Sequence, residues 1–329
     1  AIADCDLIIE AVFENPELKD KVTKETEAVL AKDKIYASNT STIPITLLAK
    51  SSERPENFIG IHFFSPVDRM PLVEIIKGEK TGDKAIAAAV DYTVSIGKIP
   101  IVVNDSRGFF TSRCFGTYVN EGMFLLKEGV PAAMIENIAK KKGMPVGPLA
   151  VHDEVTLTLS LHVIESNPDR HKSAETMQSY EMVKDLVENH KRTSKKDGQG
   201  FYDYPKGEKK RLWPKLAELY NSKVDTLDKE TIAKRILHRQ ALESFRCLDE
   251  GVLNSPTDGD LGSVLGWGFP IYTGGAISYI DYIGIQTFID ECDNFKTKYG
   301  ERWNIPDSLR ALAQEEKSVH DFTKAETIS

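Results

Sequence analysis

Between residues 6 and 104 the chain alternates strand-like and helix-like segments, and this alternation limits its possible folds more than any other feature of the 329 residues. "DLIIEAV" reads as a buried strand and "NPELKDKVTKETEAVLAK" as a helix, with Asn15 as N-cap, Pro16 at the first helical position and Leu18, Val22 and Val29 as its apolar positions. "KIYASN" is a second strand and "IPITLLAK" a short helix; "NFIGIHFF" and "LVEIIKG" are two more strands, followed by a helix, "GDKAIAAAVDYTVSIGK", and a last strand, "IPIVVND". Repeated βα alternation predicts a parallel, doubly wound sheet, whose ligands sit outside the carboxyl ends of the strands. The residues at that edge are Glu14, just past the first strand, and residues 38–42, "SNTST", just past the second. Short polar residues there either hydrogen-bond a cofactor ring or supply ordinary turn chemistry.

Two titratable side chains interrupt "FIGIHFFSPVDRMPLVEIIKG", where buried strands call for apolar packing. His62 and Glu74 lie at equal distances on either side of Asp68, and Pro66, Asp68 and Pro71 mark a turn between the two runs. If the runs pair as antiparallel neighbours about that centre, His62 and Glu74 face each other with Cβ atoms about 5 Å apart. A carboxylate there would fix the imidazole tautomer and raise its basicity. From this stretch alone the pair is either catalytic or a structural buried ion pair.

With 41% hydrophobic and 28% charged residues, the composition is that of a globular protein of two or three domains. No apolar run approaches the ~20 residues of a transmembrane helix, and no signal-peptide pattern opens the chain. A net charge of −8 argues against general nucleic-acid binding. Cys5, Cys114, Cys247 and Cys292 have no paired spacing, which points to a reducing compartment and no metal site. The basic segments at 190–196 and 206–211 read as solvated loops, one of them a candidate contact for an anionic ligand. The chain opens on an interior-strand pattern with no lead-in, and GxGxxG occurs nowhere in it. The expectation is a chain whose earlier part, carrying that motif, is absent, and which alone binds a dinucleotide weakly or not at all.

Beyond residue 105 the pattern turns helical and repeats. "RCFGTYVNEGMFLLKEGV" starts at Arg113 and "RILHRQALESFRCLDEGV" at Arg235; Glu121 corresponds to Glu243 and Glu128 to Glu250, each 122 residues on. A Gly-x-Pro turn and then an aspartate follow in both copies, in "KKGMPVGPLAVHDEV" and "GWGFPIYTGGAISYID". The expected organisation is a partial Rossmann-type doubly wound α/β domain over 1–104, a first helical domain over 105–205 and a repeated second one over 206–329. Leu125 and Leu126 in one copy and Phe245 and Leu248 in the other are candidate core positions.

"ASNTSTI", "GIHFFSPVDRMPLVEIIKG", "GFFTSRC", "NEGMFLLKEGV", "GMPVGPLAVHDEV" and "DGQGFYDY" together resemble the 3-hydroxyacyl-CoA dehydrogenases of fatty-acid β-oxidation. "HFFSPVDRMPLVE" and the doubled helical domain look more like the multifunctional alpha subunits, in which an enoyl-CoA hydratase precedes the dehydrogenase. The resemblance runs over residues 1 to about 300. It implies two all-α C-terminal domains of the 6-phosphogluconate-dehydrogenase-like type, and an absent hydratase and Gly-rich NAD fingerprint. It makes His62 the catalytic base, Glu74 the carboxylate that orients it and Ser41 a catalytic serine near both substrate and nicotinamide. Val12, Phe13, Glu14, Lys19, Asn39, Ser41, Ser65 and Lys196 become NAD-contacting positions, and Ser41, Ser112 and Tyr279 substrate-contacting ones.

Some positions depart from the family pattern. Ser112 and Ser65 stand where relatives have Asn, Arg107 replaces a proline, and "DEVTLTLS" lacks the usual "GLD" or "GVD". The implied activity is NAD-dependent oxidation of 3-hydroxyacyl-CoA to 3-oxoacyl-CoA, with a thiolase β subunit as partner. The implied location is a bacterial cytoplasm, with mitochondrial matrix or peroxisome as the alternative. The competing readings are a non-catalytic acyl-CoA-binding or assembly portion and a dehydrogenase of small hydroxy acids. The remaining histidines, His152 among them, read as structural or surface residues.

Overall fold

In the computed structural model, which describes residues 2–220 and 227–323, the five expected strands lie in one sheet in the order β1-β2-β3-β4-β5. They are β1 (Leu7–Glu10), β2 (Ile35–Ser38), β3 (Phe58–Phe63), β4 (Leu72–Lys77) and β5 (Ile99–Asn104). Helix α1 (Pro16–Glu27) joins β1 to β2, α2 (Ile45–Leu48) joins β2 to β3, and α3 (Asp83–Ser95) joins β4 to β5. Pairs β1–β2, β2–β3 and β4–β5 are parallel, and β3–β4 is antiparallel. The sheet is therefore mixed rather than parallel. Residues 64–71 are too short a link for the crossover that a parallel β3–β4 pair would need. Its strand order also runs one way, so the reversal that makes a sheet doubly wound is not found among the described residues.

The period-two pattern of the strands decides the two faces. Ile35, Ala37, Ile59, Ile61, Val73 and Ile75 pack with Ala85 and Ala89 of α3. His62 and Glu74 have the opposite parity and occupy the other face. Helix α1 is capped as expected, with Leu18 N–H donating to Asn15 at 2.8 Å and Pro16 in the first turn. Its buried stripe, however, is Lys19, Thr23 and Thr26; Leu18 and Val22 are only half-buried, and Val29 lies beyond the helix and is exposed. The cause is Glu10, a carboxylate buried at the end of β1, which turns Lys19 inward as its counter-charge.

The helices that follow are α4 (Thr111–Lys127), α5 (Ala132–Lys141), α6 (Pro148–Val155), α7 (Leu157–Ser166), α8 (Ala174–Glu188), α9 (Lys215–Tyr220) and α10 (Lys229–Asp249). After them come α11 (Pro256–Trp267), α12 (Ser278–Ile283), α13 (Ile285–Tyr299) and α14 (Asp307–Gln314). A two-stranded ribbon, β6 (Tyr202–Asp203) and β7 (Arg211–Leu212), lies between α8 and α9. The chain divides into two compact units. One is Ala1–Cys114, Ala241–Asp290 and Ile305–Ser329, and the other is Phe115–Gln240 and Glu291–Asn304. Residues 1, 221–226 and 324–329, at or inside the bounds expected for the 1–104 and 206–329 domains, lie outside the described residues.

In the first unit Arg113 donates to Glu243 at 2.6 Å and to both oxygens of Glu250 at 2.5 and 2.8 Å. In the second, Arg235 donates to Glu121 at 2.6 Å and to both oxygens of Glu128 at 2.5 and 3.0 Å, with its guanidinium over the Tyr299 ring. Leu125 and Leu126 are buried in the second unit, and Phe245 and Leu248 in the first.

Candidate active site

Antiparallel register sets His62 directly opposite Glu74. His62 Nδ1 lies 3.0 Å from Glu74 Oε2; the histidine is 4% exposed and the glutamate 0%. Three further donors meet that carboxylate. Phe110 N–H and Thr111 N–H donate to Oε1 at 3.0 and 3.1 Å, and the Thr111 hydroxyl donates to Oε2 at 2.6 Å. They come from the start of α4, where unpaired helix N–H groups favour negative charge. A carboxylate with this shell makes Nδ1 the protonated nitrogen and leaves Nε2 as an acceptor. Nε2 has no hydrogen-bond partner among the described residues, and the rings of Phe64 and Phe109 stand 4.5 and 6.2 Å from the imidazole.

The loop after β2 is organised by a second carboxylate. Glu14 Oε1 accepts from the Thr40 hydroxyl at 2.6 Å, and from Ser41 N–H, Thr42 N–H and the Thr42 hydroxyl, each at 3.1 Å. This leaves the Ser41 side chain exposed at the carboxyl edge of the sheet. Asn39 Oδ1 accepts from Phe63 N–H at 3.1 Å, which ties the same loop to the end of β3. Gly108 N–H donates to Thr42 O at 3.2 Å, linking it to the approach to α4.

Of the sequence-expected positions, His62 and Glu74 are brought together across β3 and β4, and Ser112 is half-buried in the first turn of α4, next to Thr111, which bonds Glu74. Val12, Phe13, Glu14, Asn39, Ser41 and Ser65 lie at or near the carboxyl edge, where Phe13 is 86% exposed and Ser65 precedes a cis bond to Pro66. Lys19 is turned inward: its ammonium donates to Glu10 at 2.9 and 3.1 Å and to Val12 O at 3.4 Å, and the Ser38 hydroxyl also bonds Glu10. Tyr279 is buried and packs on Phe269 and Tyr282. Lys196 is an exposed residue of the second unit. The residues that sequence reasoning missed are Thr111 and Glu10. The usable signal was that the buried carboxylate of Glu74 demands donors, and that a Thr follows directly after "GFF".

A family model described as "3-hydroxyacyl-CoA dehydrogenase, NAD binding domain" matches residues 1–106, and one described as "3-hydroxyacyl-CoA dehydrogenase, C-terminal domain" matches residues 108–204. A fatty acid oxidation complex subunit alpha from Psychrobacter arcticus is 38% identical over 323 residues, 94% of this chain and 44% of that protein. The chain thus spans less than half the length of such curated relatives. Among solved structures, an (S)-3-hydroxybutyryl-CoA dehydrogenase from Ralstonia eutropha is 35% identical, with 62% of this chain and 72% of that one covered and a TM-score of 0.58. A 3-hydroxybutyryl-CoA dehydrogenase from Escherichia coli K12 shares the fold at 22% identity, with 96% of this chain and 82% of that one covered and a TM-score of 0.76.

Proposed function

We propose that this chain, which belongs to the 3-hydroxyacyl-CoA dehydrogenase family, carries the proton-transfer machinery for oxidising a 3-hydroxyacyl-CoA to a 3-oxoacyl-CoA. The observation that carries this reading is the buried His62–Glu74 pair with Nε2 left as an acceptor. Oxidising a secondary alcohol removes a proton from oxygen and a hydride from carbon. NAD, when bound, supplies the hydride acceptor. The chain's own residues handle the proton: His62 Nε2 takes it from the hydroxyl, and the imidazolium that forms sits against Glu74. Ser41 and Ser112 position the alcohol oxygen. Val12, Phe13, Glu14, Asn39, Ser41 and Ser65 hold the nicotinamide side, with Lys19 acting through its grip on Glu10. Lys196 and Tyr279 are the remaining candidate positions, for cofactor and acyl-CoA respectively; Tyr279 is buried against Phe269 and Tyr282, so a conformational change would have to free it.

The helical part is read as two copies, 105–205 and 206–329. Reciprocal arginine–glutamate contacts support this, since each arginine reaches the glutamates of the other copy. A repeated acid clasp supports it too. Glu136 of α5 accepts from Leu149 and Ala150 N–H and the Tyr202 hydroxyl, and Asp260 of α11 accepts from Ile277 and Ser278 N–H and bonds His320. The proposed setting is the alpha subunit of a bacterial cytoplasmic fatty-acid oxidation complex with a thiolase β subunit. No helix among the described residues is long and apolar enough to cross a membrane. The test is cofactor reduction by the intact protein given NAD and 3-hydroxyacyl-CoA of several chain lengths; no turnover with any of them overturns the reading.

A further inference from the structure

We infer that Thr111 is a positioning residue for the proton relay, its hydroxyl holding the Glu74 carboxylate in the orientation that aims His62. The inference rests on the activity proposed above. Thr111 touches both oxygens of Glu74: its N–H donates to Oε1 at 3.1 Å and its hydroxyl to Oε2 at 2.6 Å. Oε2 is also the oxygen that receives His62 Nδ1 at 3.0 Å, so hydroxyl and imidazole share one acceptor. The residue is 1% exposed. Without the hydroxyl, Oε2 would be held only by the imidazole it has to aim, and the carboxylate could turn together with that ring; the hydroxyl fixes Oε2 independently of His62. A short O–H···O⁻ bond is also among the stronger hydrogen bonds a side chain makes.

Thr111 and its neighbour are held from behind by α11. A Cβ at Gly262 would lie 2.7 Å from the Phe110 ring and 2.9 Å from Ile101, so only glycine admits this approach. A Cβ at Gly266 would lie 2.9 Å from Leu72 and 3.6 Å from the Thr111 methyl. Trp267 meets the Phe110 ring edge-on at 5.4 Å. These contacts lie within one unit, and they keep the two N–H groups and the hydroxyl aimed at Glu74.

Losing the hydroxyl has two consequences. Glu74 becomes freer to rotate, which lowers the fraction of enzyme with His62 aimed correctly. Oε2 also gives its whole charge to His62, which then keeps its proton to higher pH. In Thr111→Val, which keeps the shape and drops the hydroxyl, kcat should fall about tenfold with KM within about twofold. The acid limb of the oxidation profile should move to higher pH. Thr111→Ser, which keeps the hydroxyl, should stay within about threefold of the parent. A readout free of turnover is the ¹⁵N NMR titration of the His62 imidazole without cofactor or substrate: its midpoint should rise in Thr111→Val and stay put in Thr111→Ser. If Thr111→Val does not fold, Thr111→Ala carries the same test. An unshifted imidazole titration in the hydroxyl-free variant, or a kcat loss that Ser fails to rescue, overturns the proposal. A parent protein that turns over no 3-hydroxyacyl-CoA overturns the activity instead, and the NMR titration still decides the role of Thr111.

Discussion

Glu74 in the sheet-bearing unit and Asp153 in the helical unit are both 0% exposed, and both are gripped by two consecutive backbone N–H groups and a hydroxyl. For Glu74 these belong to Phe110 and Thr111; for Asp153 they are Phe201 and Tyr202 N–H at 2.7 and 2.9 Å and the Tyr204 hydroxyl at 2.9 Å. They part at the remaining neighbour. Glu74 also holds His62, whose other nitrogen is left to accept. Asp153 has no side-chain hydrogen bond beyond that grip among the described residues, and burial and the aspartate itself lock the Tyr204 proton in place by pushing its pKa far up. The polar grip is thus a fastening that either unit uses. Chemistry begins only where one partner of the acid can exchange a proton.

The comparison breaks most sharply at His62. His62→Ala in the intact protein should cost at least about 10³-fold in kcat, with a melting temperature close to the parent's. Near-normal turnover would make Glu74 a fastening of the same kind as Asp153.

The next effect is one of stability. Burial holds His152 down from 6.5 to about 4 and Asp153 up from 3.8 to about 6. His152 therefore contributes stability that is present above pH 6.5 and lost as the pH falls through about 4. Asp153 contributes stability that is full below pH 3.8 and lost as the pH rises through about 6. The slopes are opposite and overlap, so together they flatten. His152→Gln should leave a protein less stable at pH 7 than at pH 4 by ~3 kcal/mol, and Asp153→Asn one less stable at pH 4 than at pH 7 by a similar amount. Urea midpoints across that range check this, and parallel profiles for the two variants would count against it. Neither variant should change kcat.

Glu74→Gln keeps shape and loses charge, so a loss of about 30-fold in kcat is expected, smaller than that of His62→Ala; a loss as large would show that Glu74 does more than orient. The smallest effect is at Thr156, beside the Asp153 clasp. This β-branched residue has φ 73°, in a region that favours glycine, and its hydroxyl caps α7 through Leu159 N–H. Thr156→Gly should raise stability by ~1 kcal/mol net of the lost cap, read from the urea midpoint.

His62 and Glu74 were legible because strand parity and turn position are local properties: equal spacing about Asp68 is the antiparallel register itself. The helical segments and the α1 cap were legible for the same reason, whereas the βα alternation alone suggested a parallel sheet and hid that the β3–β4 pair makes it mixed. The buried face of α1 was not, because counting apolar residues cannot foresee that Glu10 draws in Lys19. Thr111 was hidden for a related reason. At a helix start a threonine looks ordinary, and its role depends on a carboxylate in another element.

Arg113 and Arg235 hold the same kind of glutamate pair in two settings, one 21% exposed and the other 0%. Were these segments two copies of one gene product, any substitution would appear at both forks at once and selection would judge the doubled effect. Joined in one polypeptide, each fork mutates alone. Their neighbours already differ: Cys114 and Cys247 in the first unit stand, at a spacing of 122 residues, opposite Ile236 and Leu125 in the second. A change at one fork therefore leaves the other as it was, whereas in a symmetric pair of identical chains it would fall on both.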